Sequence, residues 1–316
     1  MLARRVQDHR DRDQAEARHR GTVARAGEVL ADLVERPLQP GLYLVATPIG
    51  NLGDISLRAL SVLARADLTA AEDTRHSRKL LSHFNIAGDL TLYHEHNAAK
   101  ERPRLLARLR AGSSVALISD AGTPLISDPG YKLVREALDE GFLVTSIPGP
   151  SAPLAALTSA GLPTDTFLFA GFLPPKSGQR RARLEELKPI PATLVFFETA
   201  TRLAKSLADM AELLGARAAT VARELTKLHE TITRGTLDRL AAEFSESDAL
   251  KGELVVVIAP PIEDSAGISD EKIVEQLGKA LNLESFRDAV RSVSEVLQVP
   301  RSRVYELGLS LMPKAD

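Results

Sequence analysis

Short, continuous apolar runs recur at 42–47, 68–71, 90–93, 115–119 and 142–147, and no other feature of the chain limits its fold so strongly. Runs without polar alternation fit strands buried on both faces; a half-exposed strand would alternate. Between them lie amphipathic stretches at 57–64, 77–83, 98–110 and 131–140, whose spacing predicts helices. Strand and helix in turn imply parallel pairing and a sheet covered by helices. A second series follows at 167–172, 194–197, 218–223 and 254–259, with helices at 181–187, 203–214 and 237–244. The stretch 230–236 alternates Thr, Ile, Thr and Arg and reads as an exposed antiparallel strand. Two α/β domains follow from this order, and the cleft between them is the default place for a site.

The two ends of the chain differ from this body. Residues 1–40 hold eight Arg and seven Asp or Glu with little to bury, which predicts a disordered or weakly helical arm. Helical spacing begins only at Val23, Ala26, Leu30, Leu33 and Val34, before Pro37 and Pro40. After a linker at 260–269, helical spacing runs through Ile273, Leu277 and Leu281, then Phe286, Val290, Val293 and Leu297, then Val304, Leu307 and Leu311. This tail reads as a small helix-turn-helix-like domain of nearly balanced charge. The expected units are therefore an arm at 1–40, an N-terminal α/β domain at 41–160, a C-terminal α/β domain at 161–262 and a helical appendage at 269–312.

The formal charge of −2 excludes whole-chain attraction to nucleic acid or an acidic membrane, so such a partner must be held by local patches. The absence of cysteine excludes disulfides, thiolate nucleophiles and Cys-ligated metals. No apolar run reaches the roughly 20 residues of a membrane span, and a cytoplasmic location is expected.

Gly- and Pro-rich loops follow three of the runs: Thr47-Pro-Ile-Gly-Asn-Leu-Gly-Asp54, Ser119-Asp-Ala-Gly-Thr-Pro124 and Pro148-Gly-Pro-Ser-Ala152. Open α/β sheets bind ligands at the C-terminal ends of their strands, and three loops there bring backbone groups close to a ligand. None matches a dinucleotide or P-loop fingerprint.

These loops, together with Ala71-Glu-Asp-Thr-Arg-His76, Tyr93-His-Glu-His-Asn97 and the extension to Gly130, resemble the blocks of bacterial small-subunit rRNA (cytidine-2'-O)-methyltransferases. That family belongs to the tetrapyrrole methylase fold superfamily, and the likeness spans roughly residues 41–310. The resemblance implies two α/β domains with S-adenosylmethionine (SAM) held between them, and a homodimer. It also implies 2'-O-methylation of a cytidine ribose in the decoding region of 16S rRNA, with rRNA or the small subunit as partner. A same-fold methyltransferase acting on a tetrapyrrole or other small molecule is the alternative. Carried over residue by residue, the resemblance assigns cofactor contact to Pro48, Ile49, Gly50, Asp120, Gly122, Thr123, Ser151 and Ala152.

Methylating a ribose hydroxyl needs alignment, worth on the order of 7–11 kcal/mol, and a proton acceptor. Asp73 and His76 are the candidate bases, in a block that follows a strand. His94 and His96 share a strand face, but His-x-His alone is a weak metal signal; RNA contact is the better reading and no metal is expected. The basic stretches 100–110 and 176–188 supply local positive charge, with Arg180, Arg181 and Arg183 as candidate RNA contacts.

Overall fold

In the computed structural model, residues 2–245, 251–261, 269–297 and 299–309 are described, with backbone alone over 2–17. Strands β1 (Gly41–Val45), β2 (Leu68–Ala71), β3 (Leu90–Leu92), β4 (Ser114–Ile118) and β5 (Val144–Ile147) form one parallel sheet in the order β3-β2-β4-β1-β5. Both faces are covered, which is why these strands read as unbroken apolar runs. Val115 and Leu117 of β4 pack with helices α4 (Ala98–Arg110) and α5 (Tyr131–Asp139). Ala116 and Ile118, pointing the other way, pack with α2 (Leu57–Arg65) and α3 (Thr74–His83). β1 and β4 are neighbours, yet the chain leaves β1 toward β2 and leaves β4 toward β5, on opposite sides of the pair. Such a reversal opens a crevice at the strand ends.

Helix α6 (Ala152–Ala160) follows β5 and crosses to a second sheet. That sheet contains β6 (Phe167–Phe172), β7 (Thr193–Thr199), β8 (Ala218–Arg223), β9 (Thr231–Thr236) and β10 (Glu253–Ile258), ordered β6-β7-β10-β8-β9. Only β6 and β7 run parallel; the other pairs are antiparallel. β9 is the half-exposed edge, as its alternation predicted. Helices α7 (Ser177–Leu187), α8 (Leu203–Leu214) and α9 (Leu237–Ser245) cover one face through Leu184, Leu207, Met210 and Leu240. On the other face, α6 packs Ala156, Leu157 and Ala160 against Val195, Ala222 and Val257, and Ile49 of the first domain joins the same cluster.

The N-terminal segment differs from the expected arm. Leu2–Glu35 is a single helix, α1, which extends well before Val23. Its C-terminal end is tied to α2: the Ser61 hydroxyl donates to the Leu33 carbonyl at 3.1 Å, and the Arg65 guanidinium donates to the Arg36 carbonyl. Intrinsic propensity explains the length, since Ala, Arg, Gln and Glu dominate the segment and no proline interrupts it before Pro37.

At the other end, α10 (Asp270–Leu281), α11 (Phe286–Leu297) and α12 (Arg301–Leu309) pack around Ile273, Leu277, Val290, Val293 and Val304. Ser269 and Ser285 cap α10 and α11, accepting from the Lys272 and Asp288 N–H groups. Most of the expected linker, and Leu311, lie outside the described residues.

Candidate active site

Three loops at the C-terminal edge of the first sheet are stitched together by hydrogen bonds. Thr47 and Gly122 exchange a backbone pair, N–H to carbonyl, at 2.9 and 3.0 Å. The Thr123 hydroxyl donates to the Pro150 carbonyl at 3.1 Å. Gly122 sits at φ +78°, where a side chain would also crowd Ile49. The β2–α3 loop is tied in as well: the Asp73 N–H donates to Asp120 Oδ1 at 2.9 Å.

A cavity of about 410 Å³ opens between these loops and the second sheet, within the range of about 300–1,000 Å³ that small-molecule sites occupy. Ile49, Asp120, Gly122, Thr123, Ser151 and Ala152 line it, six of the residues expected at the cofactor. Pro48 and Gly50 instead face a neighbouring cavity of about 200 Å³, which Asp120 also borders. Gly50, at φ +151°, lies so close to the second domain that a Cβ there would stand 3.0 Å from Lys227 Cε and Thr226 Oγ1. The second domain supplies Phe172, Phe197, Glu198, Ala222, Leu225 and Val255 to the larger cavity. Phe197 meets Phe169 edge-on at 4.9 Å and Phe172 at 5.3 Å, forming an aromatic wall. The Glu198 carboxylate, fully buried, accepts from the Thr199 N–H and the Ser206 hydroxyl and pairs with Arg202 at 3.3 Å, so it serves to brace the wall.

Asp128 lines the same cavity and had no distinguishing mark in the sequence beyond its place in a Ser-Asp-Pro-Gly turn. Burial, the nearby Glu72 carboxylate and, more weakly, Asp120 push its pKa up to about 6, against a hydrogen bond from the Ser119 hydroxyl that lowers it. Leu125 and Ser127, just before it, hold left-handed backbone at φ +72° and +68°, a conformation that costs non-glycine residues on the order of 1–3 kcal/mol each. Glu72 is also raised, by burial first and by Asp120 second. Only the tertiary structure brings these three carboxylates together, because they come from two separate strand-end segments.

Asp73 and His76 lie apart from this cluster. Asp73 caps α3, accepting from the Arg75 N–H at 2.8 Å and from its guanidinium at 2.8 and 3.2 Å. Those bonds from Arg75 hold its pKa down to about 2, which makes it a weak proton acceptor. His76 is exposed on α3 and borders the smaller cavity with Lys79. His94 Nδ1 accepts from the Asn97 N–H at 3.2 Å while the Asn97 side chain accepts from the His94 N–H, so the pair closes the turn that starts α4. The His96 ring meets the His94 ring edge-on at 5.8 Å and is exposed.

The two basic stretches are largely neutralised by ion pairs. Arg180 is buried and grips Asp209 at 2.6 Å, anchoring α7 to α8, and so is not available to a phosphate. Arg181 pairs with Glu212 at 2.6 Å and Asp209 at 3.2 Å, and Arg183 with Glu186 at 2.7 Å. In the other stretch Arg102, Arg104 and Arg110 pair with Glu136, Glu101 and Glu140. The acidic partners of Arg180 and Arg181 lie on a different helix, so counting charges within 176–188 could not reveal them.

The fold and cleft define a methyltransferase class. The model of the Tetrapyrrole (Corrin/Porphyrin) Methylases matches residues 41–241, and the chain belongs to that family. Within it, the chain is 61% identical over 230 residues to ribosomal RNA small subunit methyltransferase I of Mesorhizobium japonicum, covering 72% of this chain and 78% of that protein. It is 46% identical over 280 residues to the protein of the same name from Pseudomonas aeruginosa, covering 87% and 98%. Among solved structures, the fold is similar to the methyltransferase CobJ, with a TM-score of 0.53 at 18% identity over 70% of this chain and 94% of that one. It is also similar to a Thermus thermophilus uroporphyrin-III C-methyl transferase complexed with S-adenyl homocysteine, with a TM-score of 0.50 at 21% identity over 69% and 96%.

Proposed function

We propose that this chain uses SAM to methylate the ribose 2'-hydroxyl of a cytidine in the decoding region of 16S rRNA, acting as a homodimer in the cytoplasm. The relatives' names point to small-subunit rRNA, and the sequence blocks resemble those of enzymes with this ribose specificity. Among the described residues no helix is long and apolar enough to cross a membrane.

The cavity suits the cofactor: an apolar floor of Ile49, Ala152 and Leu225, an aromatic wall, and carboxylates that favour a cation. When bound, SAM supplies an electrophilic methyl group on a sulfonium. Ile49, Gly122, Thr123, Ser151 and Ala152 would hold it, with Pro48 and Gly50 fixing the shape of the first loop from behind. Asp120, whose Oδ1 is tied to the β2–α3 loop, would offer its other oxygen to a polar group of the cofactor.

The observation that carries the reading is Asp128, a half-buried carboxylate in the cavity wall whose pKa burial and Glu72 push up to about 6. Such a group accepts a proton from an attacking hydroxyl more effectively than one held near 2. The base role is therefore assigned to Asp128 in place of Asp73 and His76. Asp73 orders α3, and His76 with Lys79 faces the RNA at the smaller cavity.

Radiolabelled SAM, offered with small subunits, naked 16S rRNA and a porphyrin-type substrate, tests the function. Label recovered as 2'-O-methylcytidine after nuclease digestion is expected. Label on a base, or on the porphyrin-type substrate alone, would overturn the reading in favour of another methyl acceptor.

A further inference from the structure

The helical tail carries a groove that the methyl-transfer site does not use. It lies between α11 and α12, encloses about 660 Å³ and shares no lining residue with either cavity described above. Arg287, Arg291 and Arg301 line it against a single acid, Glu306. Two further acids of α11, Asp288 and Glu295, stand close enough to pair with Arg291 and Arg301. Among the described residues Arg287 makes no ion pair. Arg291 and Arg301 hold exposed pairs, with Asp288 at 2.9 Å and Glu295 at 3.0 Å, of the kind that contributes little and is readily exchanged for a phosphate. Tyr305, also in the lining, packs edge-on against Phe286 at 5.5 Å and is half exposed, leaving ring surface for a sugar or base.

We propose that this groove binds the sugar-phosphate backbone of rRNA and tethers the substrate while its target nucleotide enters the cavity between the α/β domains. The proposal rests on rRNA being the substrate. Arg287 supplies a cation without an ion-pair partner among the described residues, fitted to a polyanion, and Arg291 and Arg301 beside it are held only by exposed pairs. A second contact joined through the chain raises the effective concentration of the first without altering cofactor binding.

The test measures binding of full-length protein to purified small subunits and to naked 16S rRNA across a salt series, with methyl transfer and SAM affinity recorded in parallel. For Arg287→Gln/Arg291→Gln, subunit and rRNA affinity is expected to fall about tenfold near physiological salt, with the log–log salt slope reduced by about 2. SAM affinity and melting temperature should stay at wild-type values, and Arg287→Lys/Arg291→Lys should restore the slope. Should the double variant fold poorly, Arg287→Glu gives the same reading, because that side chain has no partner to lose. Unchanged affinity and slope would overturn the proposal. Loss of subunit binding with unaltered binding to naked rRNA would overturn it too, by making the occupant a ribosomal protein. A wild type that binds rRNA with a groove-dependent slope but transfers no methyl would refute the proposed function and leave the groove supported.

Discussion

At Asp128, burial and the carboxylate of Glu72 hold a proton on the side chain up to about pH 6. Methyl transfer is accordingly expected to rise through an apparent pKa near 6, a value belonging to Asp128 coupled to Glu72. Asp128→Asn should remove that limb and lower single-turnover rate by about 10²–10⁴-fold, while Asp73→Asn keeps the limb. The sign for stability is opposite. A carboxyl whose folded pKa lies above its unfolded value of 3.8 binds an extra proton in the folded state between those values, so its contribution is lost as pH rises through 6. Urea unfolding should therefore show Asp128→Asn gaining on the wild type from pH 5 to pH 8. Arg180 makes the other residue-scale case. Truncating it leaves the nearly buried Asp209 with only Arg181 and the Ser177 hydroxyl as partners and should cost about 1–3 kcal/mol, against less than about 1 kcal/mol for Arg183→Ala at an exposed pair. Denaturant midpoints of the two variants check this.

Among elements, the parallel strands of the first sheet were legible because burial on both faces leaves a pattern that needs no partner to be recognised. Helices α4 and α8 likewise begin and end where the spacing of their apolar residues does. Strand direction in the second sheet was less legible. β10, last in the chain, inserts between β7 and β8, and nothing within its own apolar run says which neighbours it will have. α1 extends beyond the apolar spacing that begins at Val23 for a related reason: a helix needs only its own backbone bonds and one docked end, which low apolar content does not reveal. The convergence of the strand-end loops was legible from Gly and Pro, but their cross-ties were not. Gly50→Ala tests the closest of these approaches. The added methyl collides with Lys227 and Thr226 at an unfavourable φ, and is expected to lower stability by about 1–3 kcal/mol and weaken SAM binding together, as calorimetry of unfolding and of binding would show.

For the whole molecule, a cofactor held between two domains should fasten them. SAM at about 100 times its Kd is expected to add about 2.7 kcal/mol, raising the melting temperature by several degrees. Removal of residues 1–36 should leave that rise intact, because α1 docks on α2 and, among the described residues, lines no part of the cavity. A truncated protein that melts at the same temperature with and without SAM would contradict this.

Local pattern by itself determined the α/β class, the three Gly- and Pro-rich strand-end loops and the helical tail, since periodicity and Gly/Pro chemistry act over a few neighbouring residues. The tertiary structure alone decided which basic side chains are paired and which carboxylates share the cavity. Arg180 is buried against Asp209, Asp73 is held ionised by its bonds from Arg75, and Asp128 is raised by burial beside Glu72. Electrostatic energy depends on distance and desolvation in space, and these groups become neighbours only once the chain has folded.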